Sequence, residues 1–124
     1  MLHRVFLGLG SNLGDKEKNI SDAYIWIEER IGKIVSKSAF YITSPEGFIS
    51  ENWFVNAVCE VVTEVPVDDI FAITQTIERQ LGRTEKSENG NYADRQIDID
   101  ILMIDDLIID TPELTVPHPR MHLR

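Results

Sequence analysis

Cysteine is almost missing from this chain. Cys59 stands alone among 124 residues, which excludes an intramolecular disulfide and any zinc site built on thiolates. Set in the apolar run "FVNAVCEVV", it reads as a buried core thiol rather than a nucleophile. Basic charge is scarce too: 12 lysines and arginines face 21 aspartates and glutamates, a formal net charge of −9. With no basic surplus to neutralise phosphates, nucleic acid is not expected as a partner. No apolar run is long enough to span a bilayer, and "MLHRVFLGLG" carries no signal-peptide pattern, so a cytoplasmic protein without a membrane partner is expected. Repeats, linkers and low-complexity segments are absent. A chain of this length reads as one domain, 1–124, that needs no staple to fold. An acidic chain can still hold a small polyanion if it brings a divalent cation and a few local cations.

What is present is a regular alternation of patterns. "HRVFLGLGS" alternates and then turns glycine-rich, predicting a strand that ends in a tight turn near Gly10. Ile20, Ala23, Tyr24, Ile27 and Ile31 recur at helical spacing, so a helix is expected from about Asp15 to Ile31, with Gly32 at its C′ position. "KIVSKSAFYIT" reads as a second strand, "SPEGFISENW" as a loop, and "FVNAVCEVVTEV" as a third strand, central because so little of it is polar. Pro66 suits the first position of a second helix that Gly82 ends, with Val67, Ile70, Phe71, Thr74, Ile77 and Leu81 as its buried stripe. After the polar loop "RTEKSENGNYAD", a fourth strand is expected at about 97–104, and "DDLIID" reads as a turn into a short fifth. The order βαββαβ predicts an α+β, ferredoxin-like sandwich, a mainly antiparallel sheet with helices packed on it.

The stretch "DRQIDIDIL" places two carboxylates inside an isoleucine-rich strand. Asp98 and Asp100 share a face, roughly 6.6 Å apart at about 3.3 Å per residue, while Ile97, Ile99 and Ile101 take the other. In open water such a pair repels by only about 0.6 kcal/mol; at an effective dielectric of 20 the figure is about 2.5 kcal/mol. An exposed pair on an edge strand would be innocuous, whereas an enclosed pair needs a cation, and Mg²⁺ suits hard oxygen ligands shared with substrate phosphates.

Other candidates are weaker alone. "GLGSNLGD" is a strand-to-helix turn whose amides near Ser11 and Asn12 could hold an anion, or whose Asn12 or Asp15 is an ordinary N-cap. Gln75 and Glu78 share a helix face, for which a solvated surface is the default reading. His118 lies between two prolines in a tail made basic by Arg120, His122 and Arg124. Phe48, Trp53 and Phe54 gather as a core plug or a platform for stacking a flat ring.

In combination these pieces closely resemble the 6-hydroxymethyl-7,8-dihydropterin pyrophosphokinases of folate biosynthesis. The resemblance is carried, in the family's order, by "LGSNLGD", "FYITSPEG", "NWFVNAV", "TQTIERQLGR", "DRQIDIDIL" and "LTVPHPRM". It implies transfer of a pyrophosphoryl group from ATP to the pterin hydroxymethyl, with release of AMP and two Mg²⁺ ions. Asp98 and Asp100 then become the metal ligands and, with Arg83 and Arg95, the catalytic set. Gln75, Glu78, Arg83, Arg95, Ile101, Thr115, His118 and Arg124 match ATP-binding positions. Thr43, Pro45, Glu46, Phe54 and Asn56, together with Asp98, match the pterin pocket. The small molecules pterin and ATP are the expected partners, and the chain a monomer or weak oligomer. The loops at 44–53 and 84–94 are expected to act as lids.

The chain departs from better-known members at Glu85, Tyr92, Ala93, Asp94 and Pro119, with Lys86 beside Glu85 able to supply the charge that an arginine carries there. Members usually continue past the position of Arg124, so this domain is expected to be a form shortened at its C-terminus. Two rival functions use the same features: a non-catalytic pterin- or nucleotide-binding module, and a nucleotidyltransferase. In the latter the Asp-x-Asp strand follows the Gly-Ser turn closely, whereas here Ser11 and Asp98 lie far apart in the chain.

Overall fold

The computed structural model describes residues 2–44, 53–82, 96–110 and 114–118. Strand β1 (His3–Ser11) leads into helix α1 (Lys16–Arg30), then β2 (Lys33–Lys37), β3 (Tyr41–Thr43) and the long β4 (Phe54–Thr63). Helix α2 (Val67–Gly82), β5 (Asp98–Ile104), β6 (Ile109–Asp110) and β7 (Thr115–Val116) complete the order. The main sheet runs β2-β4-β1-β5, every pairing is antiparallel, and β3 joins β4 on the same side as β2. Counting β2 and β3 as one interrupted strand, this is the expected ferredoxin-like arrangement. β6 and β7 form a separate two-stranded ribbon.

The expected second strand is broken for a local reason. Its register against β4 shifts between Ile34 and Ser36, and Ser38 then takes over the ladder: its N–H donates to Val58 O and its hydroxyl accepts from Val58 N–H.

One face of the sheet holds the core. Val5, Leu7 and Leu9 of β1 alternate onto it beside Ala57, Cys59 and Val61 of β4, and meet Ile20, Ala23 and Ile27 of α1 and Ile70 and Ile77 of α2. A bulge sets two residues of β5, Leu102 and Met103, against Phe6, so Ile101 and Ile104 both reach this core. Leu102 turns to the opposite face, where its methyls lie 3.4 Å from the point a side chain on Gly8 would occupy.

Helix boundaries follow the capping chemistry. Asp15 caps α1, accepting from Lys18 N–H, and Ile31 ends it. Pro66 sits just before α2, its carbonyl receiving the first N–H groups, one residue earlier than the sequence suggests. Gly32 does follow the helix, but close approach is the reason it is glycine: an added Cβ would stand 2.2 Å from Val62 O. The tight turn is not at Gly10, which lies within β1; Gly14, at φ +69°, makes it. Among the described residues, no helix is long and apolar enough to cross a membrane.

Candidate active site

The face of the sheet away from the helices is built around two glycines. Gly8 and Gly10 of β1 point to this side, because Leu7 and Leu9 take the core. Directly paired residues of an antiparallel sheet share a face. Gly10 lies between Asp98 on β5 and Asn56 on β4, and Gly8 between Asp100 and Val58. The two strand carboxylates therefore stand on one side of a bare stretch of backbone, and Asn56 with Phe54 on the other.

On the β4 side, Asn56 is buried and its amide is oriented by its neighbours. Its Nδ2 donates to Thr43 Oγ1 at 2.9 Å and to the carbonyl of Tyr41 at 3.3 Å. A carbonyl can only accept, so the amide cannot be turned round, and Oδ1 faces Gly10. Phe54 is partly buried beside it, with Cδ1 3.3 Å from the point where a Gly10 Cβ would stand. Trp53 is half exposed, and its carbonyl accepts from Lys16 Nζ at 2.9 Å, which ties the start of α1 to the start of β4. Phe48, the third of these aromatics, lies outside the described residues.

On the β5 side the carboxylates sit on the sheet's edge strand, and that edge is covered. Glu78 of α2 reaches it: its carboxylate accepts from Ile99 N–H at 2.5 Å. The solvated-face reading of Glu78 is therefore wrong. The stripe of α2 packs against the sheet next to β5, which brings the flank of the stripe over the edge rather than into water. Burial first, and then the charge of Asp98, push the Glu78 carboxyl up to about 8, with Asp100 adding to the effect and the Ile99 N–H opposing it.

The C-terminal segment covers the other end of β5. His118 N–H donates to Leu102 O at 2.9 Å, and its imidazole Nε2 stands 3.9 Å from Asp100 Oδ2. With the Ile99 N–H directed outward, the ladder's alternation sends the N–H and C=O of Ile101 to the same outer edge, between Glu78 and His118.

The structure thus brings together Asp98, Asp100, Glu78, Ile101 and His118 on one side, and Thr43, Phe54 and Asn56 on the other. Gln75 is half-buried one turn before Glu78, and Thr115 is exposed on the strand that delivers His118. Pro45, Glu46, Arg83, Arg95 and Arg124 lie outside the described residues, as do most of the two expected lids, the departing positions and the basic tail.

The "GLGSNLGD" turn uses its polar groups internally: Asn19 Nδ2 donates to Ser11 Oγ and Leu13 O, and Ser11 and Asn12 are fully buried. Asp15 is the N-cap, the plainer of its two readings. What residue reasoning missed is the role of Gly8 and Gly10. The signal was there, in a Val5-Leu7-Leu9 alternation that continues through them.

The family model described as 7,8-dihydro-6-hydroxymethylpterin-pyrophosphokinase (HPPK) matches residues 6–124. The chain belongs to this family. A 2-amino-4-hydroxy-6-hydroxymethyldihydropteridine pyrophosphokinase of Porphyromonas gingivalis is 48% identical over 121 residues, covering 97% of this chain and 82% of that protein. Its counterpart in Bacillus subtilis is 36% identical, covering 96% and 70%. A crystal structure of Plasmodium falciparum HPPK-DHPS superposes with a TM-score of 0.68 at 19% identity, covering 88% of this chain. That likeness bears on the fold alone. The chain spans about a third of that longer protein, 30% of its length. As a member of the HPPK family the chain is a pyrophosphokinase of folate biosynthesis, with ATP as co-substrate.

Proposed function

We propose that the glycine-floored face transfers pyrophosphate from ATP to the hydroxymethyl group of 6-hydroxymethyl-7,8-dihydropterin, releasing AMP, with two Mg²⁺ ions bound at Asp98 and Asp100. One observation carries the assignment: a carboxylate pair and an oriented amide flank the same bare backbone, on either side of Gly10. The β4 side suits the pterin. Asn56 Oδ1 is held ready to accept from a ring N–H, Thr43 fixes that amide, and Phe54 offers an apolar ring for stacking.

The β5 side suits the nucleotide. The outward N–H and C=O of Ile101 can pair with a heterocycle edge, and Gln75, Glu78, Thr115 and His118 surround that strand. His118, beside Asp100, is placed to donate to a phosphate oxygen.

The donor set fits a hard divalent cation. Two half-buried carboxylates share a face, and a third carboxyl is driven up by burial and their field, so negative charge is in excess. No group of three or more ligating side chains converges among the described residues, which leaves the remaining positions to phosphate oxygens and water. The cation would neutralise the phosphates and orient them for in-line attack. The chain's own part is positioning and charge stabilisation: Asn56 and Phe54 aim the hydroxymethyl group at the β-phosphorus, and Arg83 and Arg95 supply forked donors for charge on the transferred group. We place the reaction in the cytoplasm.

The test incubates the purified chain with MgATP and the dihydropterin and quantifies AMP, with Asp98→Asn alongside. AMP that forms only with pterin and falls at least a hundredfold in the variant is the expected result. Release of pyrophosphate with a nucleotide left on the acceptor would instead indicate nucleotidyl transfer. Binding of both ligands without turnover would indicate a binding module.

A further inference from the structure

We propose that Gly10 is a positioning residue for pterin recognition: its bare backbone is what allows Asn56 Oδ1 to stand where a ring can meet it. The inference rests on the pterin reading of the β4 side and adds a residue to it.

The geometry is specific. A Cβ on Gly10 would lie 3.0 Å from Asn56 Oδ1 and 3.3 Å from Phe54 Cδ1, so one methyl group crowds both elements of the pocket. Backbone strain is not the issue. Gly10 lies in regular strand, paired on both sides, and among the described glycines only Gly14 has a positive φ. Alanine fits such a backbone, so the glycine answers a need for space.

Asn56 has little freedom to yield. Its Nδ2 is held by Thr43 Oγ1 and the Tyr41 carbonyl, so moving Oδ1 aside strains or breaks those bonds. Gly8, on the same face, differs: the nearest atoms to its Cβ would be Leu102 side-chain carbons, at ordinary contact distance. Of the two glycines, Gly10 is therefore the one whose emptiness the pocket depends on.

The experiment compares wild type, Gly10→Ala, Asn56→Ala and the double variant. 6-Hydroxymethylpterin is titrated by its own fluorescence in the presence of Mg²⁺ and a non-hydrolysable ATP analogue, and the Kd of the analogue is measured separately. Gly10→Ala is expected to raise the pterin Kd about tenfold or more while the nucleotide Kd stays within twofold. In the Asn56→Ala background the added methyl should cost only about threefold, because the closer of its two contacts is gone and only that with Phe54 Cδ1 remains. An unchanged pterin Kd in Gly10→Ala overturns the proposal, as does a full further tenfold loss in the double variant. Should Gly10→Ala alone fail to fold, recovery of folding in the double variant supports the clash with Asn56, and a double variant that also fails to fold overturns it. If Asn56→Ala leaves the pterin Kd unchanged, the pocket reading itself fails, an outcome distinct from failure of the glycine's role.

Discussion

Glu78→Gln should change how the stability of the ligand-free protein depends on pH. The carboxyl is pushed from 4.5 to about 8 by burial and by Asp98, so between those values the folded chain holds a proton that the unfolded chain has released. Stability from this group is therefore fully present below about 4.5 and lost as pH rises through about 8. At about 1.4 kcal/mol per unit the whole rise has a ceiling of about 5 kcal/mol. Asp98 also hydrogen-bonds to this carboxyl, so the two groups are linked and the ceiling is not reached. A slope of about 1 kcal/mol per pH unit between pH 5 and 8 is thus the working figure.

Glutamine keeps the shape and an oxygen for the Ile99 N–H but has no proton to lose. Urea unfolding of both proteins at pH 5, 6, 7 and 8, without divalent cations, measures the difference. The wild type should weaken toward pH 8 and the variant should stay nearly level, overtaking it by about pH 7. Parallel slopes, or a variant less stable than wild type at pH 8, would refute the account of a carboxyl held against its neighbours' charge.

Two further outcomes test the framework. Gly32→Ala would set a methyl 2.2 Å from Val62 O, a carbonyl fixed in the sheet, so a loss of about 3 kcal/mol and a fall in Tm of roughly 12 °C are expected by calorimetry. Cys59 is buried and its thiol is pushed up to about 12, so Ellman's reagent at pH 8 should find no thiol in the native protein and one per chain in denaturant; prompt native labelling would show that the β4 core opens.

Much of this was legible in the sequence because it depended on local period. The isoleucines at 97, 99 and 101 told which face Asp98 and Asp100 would leave, and Ile20 through Ile31 outlined α1. What was not legible depended on which elements meet. Glu78 lies beside the apolar stripe of α2, and nothing in its own neighbourhood says that an edge strand arrives there. Gly10 was misplaced because a glycine next to Ser-Asn ahead of a helix looks like a turn, while its actual reason lies across the sheet in Asn56 and Phe54. The break between β2 and β3 came from a bulge and from Ser38 standing in for a ladder bond, a tertiary choice that "KIVSKSAFYIT" does not reveal.

β1 is paired on both flanks, to β4 and to β5, and its other side is buried under the helices. The floor of the proposed site is thus, like β4, an interior strand of the sheet. Its amides are expected to be among the slowest to exchange with solvent, as hydrogen-exchange mass spectrometry would show. A substrate is therefore expected to settle onto a surface that is already formed. A floor paired along both flanks is expected to keep its register from one turnover to the next.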